Sequence, residues 1–151
     1  MATLMLDDYI PEKELEKHRE KFSLIKAPTE DDQFQFALNL IRAQNKNFIQ
    51  EGLEMFQSLF AKTKVDDIKR DVLYYMAVAE TKLGNFDKAL NYLQSILNVQ
   101  SNNEQVRELH SEVNRRMKKD ALIGAGIVGG AALAGIFGLL ALGAAVLVKK
   151  K

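Results

Sequence analysis

The feature that most constrains this chain is a run of 28 residues without a charged or polar side chain, from Ala121 to Val148. A helix needs about 20 apolar residues to cross the hydrocarbon core of a bilayer, so the run predicts a C-terminal transmembrane helix. Only three lysines, residues 149–151, follow it in the sequence. We therefore expect a tail-anchored, single-pass membrane protein.

Basic residues flank the predicted anchor on both sides. The upstream cluster carries more positive charge than the basic tail 149–151, so the positive-inside rule places the N-terminal part of the chain in the cytosol. Moderate hydrophobicity with basic flanks is similar to tail anchors of the mitochondrial outer membrane and of peroxisomes. The candidate targeting residues are Arg115, Arg116, Lys118, Lys119, Lys149, Lys150 and Lys151.

Small residues recur within the predicted anchor, where Gly126 and Gly130 form a G-x-x-x-G spacing. This spacing is typical of helices that dimerise in membranes, and it would make the protein a homo-oligomer. Glycine and alanine are also so frequent in this run that the spacing can arise by chance and only tune hydrophobicity. The sequence leaves both interpretations open.

Composition narrows the compartment and the chemistry. The chain holds 21 basic and 20 acidic residues and no cysteine, which gives no electrostatic footprint for nucleic acid and no disulfide framework. The N-terminus lacks the basic and apolar regions of a secretory signal. His18 and His110 are the only histidines, and neither belongs to a metal-ligand spacing. No nucleophile, phosphate-binding or dinucleotide motif is present, so we expect no enzyme activity, no metal and no cofactor.

Residues 11–119 predict a cytosolic all-α domain of six helices, preceded by an N-terminal arm of residues 1–10. Apolar residues recur at helical spacing throughout, and no strand pattern is present. Thr29, with Asp32 three residues later, predicts the N-cap of the second helix. Gly84 predicts the end of the fourth helix, and Ser101 with Glu104 predicts a capping box that opens the last one.

The four central helices predict two degenerate tetratricopeptide repeats. In residues 70–103, two small residues, a turn glycine and an aromatic residue lie at the positions that such a repeat requires: Ala77, Gly84, Phe86 and Ala89. In the preceding helix pair the matching positions are Ala37, Ile49 and Gly52. We expect the two repeats to be flanked by capping helices at residues 11–25 and 102–118. A plain helical bundle is the alternative.

Several segments carry a resemblance to a known family. They are Gln33-Phe34-x-Phe36-Ala37, Arg70-Asp71-x-x-x-Tyr75-x-Ala77-Val78, Lys88-Ala89-Leu90-x-Tyr92 and Met117-Lys118-Lys119-Asp120-x-Leu122-Ile123-Gly124. In this order, and leading into a Gly/Ala-rich anchor, the chain resembles the mitochondrial fission 1 protein family over essentially its whole length. Ser101 departs from the family pattern, because a proline usually closes the repeat.

The resemblance implies a non-enzymatic receptor on the mitochondrial outer membrane, and also on the peroxisomal membrane. Such a receptor recruits a dynamin-related GTPase, or its adaptors, to sites of organelle fission through a concave groove that faces the cytosol. In some members of the family the role is instead mitophagy or Rab regulation. The sequence does not choose between these partners.

The first helix of each repeat is expected to line that groove. This register predicts a mostly apolar floor with two basic residues at one side, which suits an apolar peptide or helix with some acidic character. The candidate groove residues are Phe34, Leu38, Ile41, Arg42, Tyr74, Tyr75, Val78, Thr81 and Lys82. The alternative is that several of them only pack the core.

The arm before Pro11 is unusually apolar, with Leu4, Met5, Leu6, Tyr9 and Ile10. We expect it to fold over the groove and occlude it, so that displacement of the arm switches binding on. A disordered tail or an ordinary capping contact is the alternative.

A tail-anchored receptor for chaperone tails is a rival function. Those proteins hold a terminal carboxylate with Lys, Asn and Arg side chains, whereas the corresponding positions of the first repeat here are Phe34 and Leu38. Neither side chain donates a hydrogen bond, so the sequence argues against a carboxylate clamp.

Overall fold

The computed structural model describes residues 5–128, with side chains to residue 123. The chain divides into two compact units, residues 1–113 and 114–151. Most of the predicted anchor and the whole of the basic tail 149–151 lie outside the described residues. Within the described part, none of the helices combines the length and the apolar character that a bilayer crossing requires.

The described residues contain six α-helices and no strand, which confirms the predicted all-α, six-helix domain. Their bounds are α1 Glu12–Ser23, α2 Glu30–Ile41, α3 Lys46–Lys62, α4 Asp66–Lys82, α5 Phe86–Val99 and α6 Glu104–Val128.

Local signals at the helix ends explain several of these bounds. Thr29 and Asp32 form a reciprocal capping box, since the Thr29 Oγ1 accepts from the Asp32 N–H at 3.0 Å and the Asp32 Oδ2 accepts from the Thr29 N–H at 2.9 Å. Gly84 ends α4 with a φ of +85°, in the left-handed region that favours glycine. There the Asn85 N–H donates to the Glu80 carbonyl at 2.8 Å, which closes a Schellman motif.

The predicted capping box at Ser101 and Glu104 is wrong. Ser101 lies in the turn before the helix, and α6 begins at Glu104 itself. The cap comes from Asn103, whose Oδ1 accepts from the Val106 N–H at 3.1 Å. An asparagine placed directly before the helix can reach the third backbone N–H, and a serine two residues earlier cannot.

Two antiparallel helix pairs build the stack. α2 packs against α3, α4 packs against α5, and α3 and α4 join the pairs, while α2 also contacts α4. Gly52 on α3 lies so close to α2 that an added Cβ would be 2.8 Å from the Ile41 Cγ2, 2.9 Å from the Ala37 carbonyl oxygen and 2.9 Å from the Leu40 Cβ. The absence of a side chain at position 52 therefore permits the close approach of the first pair.

The helix α1 covers one end of the first pair. Phe22 stacks on Phe36 with ring centroids 4.6 Å apart. The Arg19 guanidinium donates two hydrogen bonds to the Glu51 carboxylate, both at 2.8 Å, and lies over the rings of Phe36 and Phe48. These contacts fix α1 to both α2 and α3.

The first turns of α6 cover the second pair. Val106, Leu109 and Val113 are buried and belong to the main hydrophobic core, together with residues of α4 and α5. The predicted arrangement of two tetratricopeptide-like pairs between capping helices is therefore confirmed for the described residues.

Replacing Gly52 with alanine tests the close approach of α2 and α3. The gain in helix propensity is about 1 kcal/mol, but the new methyl group must displace backbone and core atoms of α2 at a cost of about 1–3 kcal/mol. We therefore expect a net loss of up to about 2 kcal/mol in the free energy of unfolding. Chemical denaturation monitored by circular dichroism measures the change. Ser58→Ala, at an exposed position of the same helix, is the matched control, and equal stability of the two variants would contradict the prediction.

Candidate protein-binding groove

The predicted groove residues come from two neighbouring elements. Phe34, Leu38 and Ile41 lie on α2, and Arg42 is the C-cap of that helix. The other five predicted residues lie on α4, which contacts α2. The fold therefore brings both predicted sets to one side of the stack.

Four of the nine predicted residues are buried in this conformation. Ile41 and Val78 have no exposed surface, and Tyr74 and Thr81 retain only a few per cent. The Thr81 hydroxyl donates to the Ala77 carbonyl at 2.7 Å within α4. These four side chains pack the core here, and their role in binding stays a prediction.

The other apolar residues of the set are partly exposed and form an aromatic floor. Phe34 meets the ring of Tyr75 edge-on at 5.7 Å between centroids, and it meets the core residue Phe56 in the same way at 5.4 Å. Leu38 packs against the same core and is partly exposed. An apolar partner can therefore rest on a floor that is rigidly continuous with the core.

The two cations of the set meet at the C-terminal end of α2. The Lys82 Nζ donates to the Ile41 carbonyl at 2.6 Å, and the Arg42 Nη1 donates to the Asn39 Oδ1 at 3.3 Å. The C-terminus of a helix carries partial negative charge, which favours cations at this position. The result is a partly buried positive patch beside an apolar floor.

The N-terminal arm lies against this patch. Leu6 is only 2% exposed and belongs to the same buried cluster as Ile41. The Asp8 Oδ2 accepts from the Arg42 Nε at 3.2 Å, and the Tyr9 ring centroid lies 4.6 Å from the Lys82 Nζ. Residues 5–10 thus contact both predicted groove cations.

The C-terminal end of the arm is attached to the helical stack through its backbone and through a buried side chain. The Ile10 N–H donates to the Arg42 carbonyl at 3.0 Å, and Ile10 is buried in the cluster that attaches α1. Pro11 then leads into α1 as its N-cap. At the other end, Met5 has a φ of +64°, which is an uncommon conformation for a residue with a side chain.

The role of Asp8 and the pairing of Tyr9 with Lys82 were not predicted from the sequence. The apolar content of the arm indicated that it would be buried, but nothing in the sequence gives the register in which an irregular segment meets two helices. The acidic pair Asp7-Asp8 was the available signal, since it is opposite in charge to Arg42 and Lys82.

Burial lowers the pKa of Lys82 to about 8, with Asp8 and Asp7 opposing the shift and Arg42 adding to it. The folded state therefore favours the neutral amine more than the unfolded state does. Stability contributed by this group rises as the pH increases from about 8 towards the ordinary value of 10.5, and it is absent below that window.

A separate cavity of about 400 Å³ lies at the opposite end of α4, near the ends of α3 and α5. Its walls are mainly apolar, with Phe60, Leu73, Ile96 and Val99, and none of its lining residues belongs to the predicted groove. No set of three or more side chains among the described residues is arranged to hold a metal ion.

Two stacked tetratricopeptide-like pairs with an apolar floor and a positive patch define a class of small helical adaptor that binds other proteins. The comparisons with known proteins place the chain more closely. A family model, the Fis1 C-terminal tetratricopeptide repeat, matches residues 70–122.

The similarity to characterised relatives extends over nearly the whole chain. The Mitochondrial fission 1 protein of Bos taurus is 34% identical over 143 residues, which cover 91% of this chain and 93% of that protein. The FIS1-related protein fis-1 of Caenorhabditis elegans is 31% identical over 125 residues, with 80% and 87% of the two chains covered. The chain belongs to the mitochondrial fission 1 protein family, a family of tetratricopeptide-like adaptors without enzyme activity.

A solved structure agrees with this assignment. The crystal structure of yeast Fis1 in complex with an Mdv1 fragment, which contains the N-terminal extension and coiled-coil domains, superposes with a TM-score of 0.71. It is 25% identical in sequence and covers 81% of this chain and 97% of that one. The described helices thus have the fold of a protein that was crystallised with an Mdv1 fragment.

The titration of Lys82 tests the electrostatics of the groove. We expect its side chain to titrate with a pKa of about 8, and we expect Asp8→Asn to lower that pKa further because it removes a carboxylate that stabilises the ammonium. Lysine side-chain NMR, with the signal assigned through Lys82→Arg, measures both values. Asp66→Asn, at the opposite end of α4, is the control, and an equal shift in the two variants would contradict the assignment of Asp8.

Proposed function

We propose that this protein is a receptor on the mitochondrial outer membrane that recruits the division machinery through the face formed by α2 and α4. The observation that carries the proposal is the pairing of an apolar floor with Arg42 and Lys82 on that face. Such a surface suits an apolar peptide or helix with acidic residues.

The partner is a dynamin-related GTPase or one of its adaptors. The complex of yeast Fis1 with an Mdv1 fragment supports an adaptor, because that relative shares the fold of the described helices. Membership of the mitochondrial fission 1 protein family supports the same process, the division of the organelle.

The anchor and its basic flanks determine the location. A single pass through residues 121–148, with residues 1–120 in the cytosol, presents the receptor face to cytosolic partners. The same combination of moderate hydrophobicity and basic flanks supports a second location in the peroxisomal membrane. The G-x-x-x-G spacing at Gly126 and Gly130 would add homo-oligomers within the bilayer.

The arm regulates access to the receptor face. Residues 5–10 cover Arg42 and Lys82, since Asp8 pairs with Arg42 and the Tyr9 ring contacts Lys82. A partner must therefore displace the arm before it reaches these cations. The Asp8–Arg42 pair is partly solvated, with side-chain exposures of 38% and 30%, and such ion pairs are weak. Opening the arm therefore loses little from this ion pair, and the burial of Leu6 is the main contact that keeps the arm closed.

An alternative function, as a receptor for chaperone tails or for mitophagy and Rab-regulatory partners, uses the same face. A carboxylate clamp needs several hydrogen-bond donors in the groove, and Phe34 and Leu38 offer none. Amidation of a peptide's C-terminus distinguishes the two functions, because a clamp loses its ligand and the surface described here does not.

A charge on the floor tests the receptor function. In cells that lack their own family member, we expect the wild-type chain to restore mitochondrial division and Leu38→Glu to lose most of that activity, because a carboxylate on the apolar floor is poorly solvated by an apolar partner. Mitochondrial length by microscopy is the measurement. Leu24→Glu, at a position that is 81% exposed on the C-cap of α1, is the matched control. Normal division with Leu38→Glu would refute the proposal, provided that thermal unfolding shows both variants folded.

Neutralising the basic cluster before the anchor tests the location. We expect the variant with glutamine at residues 115, 116, 118 and 119 to leave mitochondria for other membranes, because it loses the upstream charges that set topology and sorting. Fractionation with alkaline extraction measures both membrane insertion and organelle. Glutamine at residues 13, 17, 21 and 26, four exposed lysines of and just beyond α1, is the control, and an unchanged distribution of the first variant would contradict the targeting role.

A further inference from the structure

We propose that the arm occupies the groove as an internal copy of the partner's recognition segment. The partner then presents an aliphatic residue, two acidic residues and an aromatic residue in that order, as Leu6-Asp7-Asp8-Tyr9 does. This inference rests on the proposed receptor function and names the chemistry of the partner at the same face.

The aliphatic position is defined by Leu6. Its side chain is 2% exposed and enters the cluster that also holds Ile41 and Val78. A segment that only covered the surface would leave such a residue partly solvated. Burial to this extent shows that the core leaves a socket for one aliphatic side chain from outside the helical stack, and that displacement of the arm would expose it.

The acidic positions are defined by the two cations. Asp8 pairs with Arg42 at 3.2 Å, and both Asp7 and Asp8 stabilise the ammonium of Lys82. A partner that displaces the arm without acidic residues would leave Arg42 and Lys82 covered and unpaired, and partly buried cations without counter-charges are costly. Acidic residues in the partner remove that cost, as those of the arm do.

The aromatic position is defined by Tyr9. Its ring lies 4.6 Å from the Lys82 Nζ and remains 45% exposed, so it covers the amine from the solvent side. An aromatic face attracts a cation at this distance. The next residue, Ile10, donates its N–H to the Arg42 carbonyl and fixes the backbone register of the segment.

The contacts of the arm are suited to exchange with an external segment. Its ion pair is partly solvated, its internal Asp8 N–H to Met5 carbonyl hydrogen bond is long at 3.4 Å, and Met5 has a positive φ. Each of these contacts is weak or strained. A segment with the same side chains and a relaxed backbone would therefore compete for the same positions.

A peptide titration tests the inference. The probe is the acetylated and amidated peptide of residues 3–9, added to the full chain without residues 1–9 in lipid nanodiscs and followed by calorimetry or NMR. We expect saturable binding, weakened tenfold or more by Leu6→Ala, about fivefold by Asp8→Asn and about threefold by Tyr9→Ala in the peptide. A peptide of the same composition in scrambled order is the control.

The intact chain provides a second test with the same peptide. The same peptide should bind it more weakly, because its own arm competes, and Asp8→Asn with Tyr9→Ala in the chain should restore part of the affinity. Both residues are partly exposed, so this variant keeps the core contacts of Leu6 and Ile10 even where removal of the arm prevents folding. Glu12→Gln, at an exposed position in the first turn of α1, is the matched control in the chain.

The outcomes separate the inference from the receptor function. Equal affinity for the matched and scrambled peptides, or no binding of either to a folded chain, overturns the inference. If Leu38→Glu still abolishes mitochondrial division in that case, the receptor function stands without it. Conversely, specific peptide binding together with normal division by Leu38→Glu supports the inference and refutes the receptor function.

Discussion

The close contact of α2 with α3 at Gly52 is the constraint on which the rest of the structure depends. With no side chain at this position, the backbone of α3 reaches the Ala37–Ile41 segment of α2. This approach sets where α2 ends relative to α4, and so places the Ile41 carbonyl beside Lys82. A wider spacing of the first pair would separate the cations of the groove from the floor beside them.

The electrostatic character of the groove follows from that placement. The last turn of α2 carries no basic residue of its own. The carbonyls of Ile41 and of the C-cap residue Arg42 accept hydrogen bonds from elsewhere in the fold, from the Lys82 amine and from the Ile10 backbone respectively. One polar junction thus holds the two repeats and the arm together. A partner that replaces the arm must therefore suit a helix terminus as well as an apolar floor.

The sequence predicted the parts of the fold that rest on local rules. Helical periodicity gave six helices, Thr29 and Asp32 gave a cap, and Gly84 gave a turn, because each depends on residues that are near one another in the chain. The Ser101 cap failed since the turn before α6 holds several residues that can cap, and the geometry of the turn selects Asn103.

The site was predictable only in outline. The repeat register placed nine residues on α2 and α4, but it could not tell which of them the core would bury, as it does Ile41 and Val78. The contacts of Asp8 and Tyr9 depend on the path of an irregular segment across two helices. Such a segment has no helical periodicity in its sequence from which that path could be predicted. The apolar content of the arm predicted that it would pack against the helices. Only the three-dimensional structure shows which of its residues contact Arg42 and Lys82.

The attachment of the arm to α1 through Ile10 and Pro11 affects how the protein responds to the concentration and assembly of its partners. A competitor that is joined to its own site by a few residues is present at a high effective concentration, typically millimolar for short flexible links. A single dilute ligand of similar affinity would seldom prevail against it. An oligomeric ligand that engages several receptors in one membrane gains avidity, so the protein would respond to assembled partners above a threshold and ignore scattered ones.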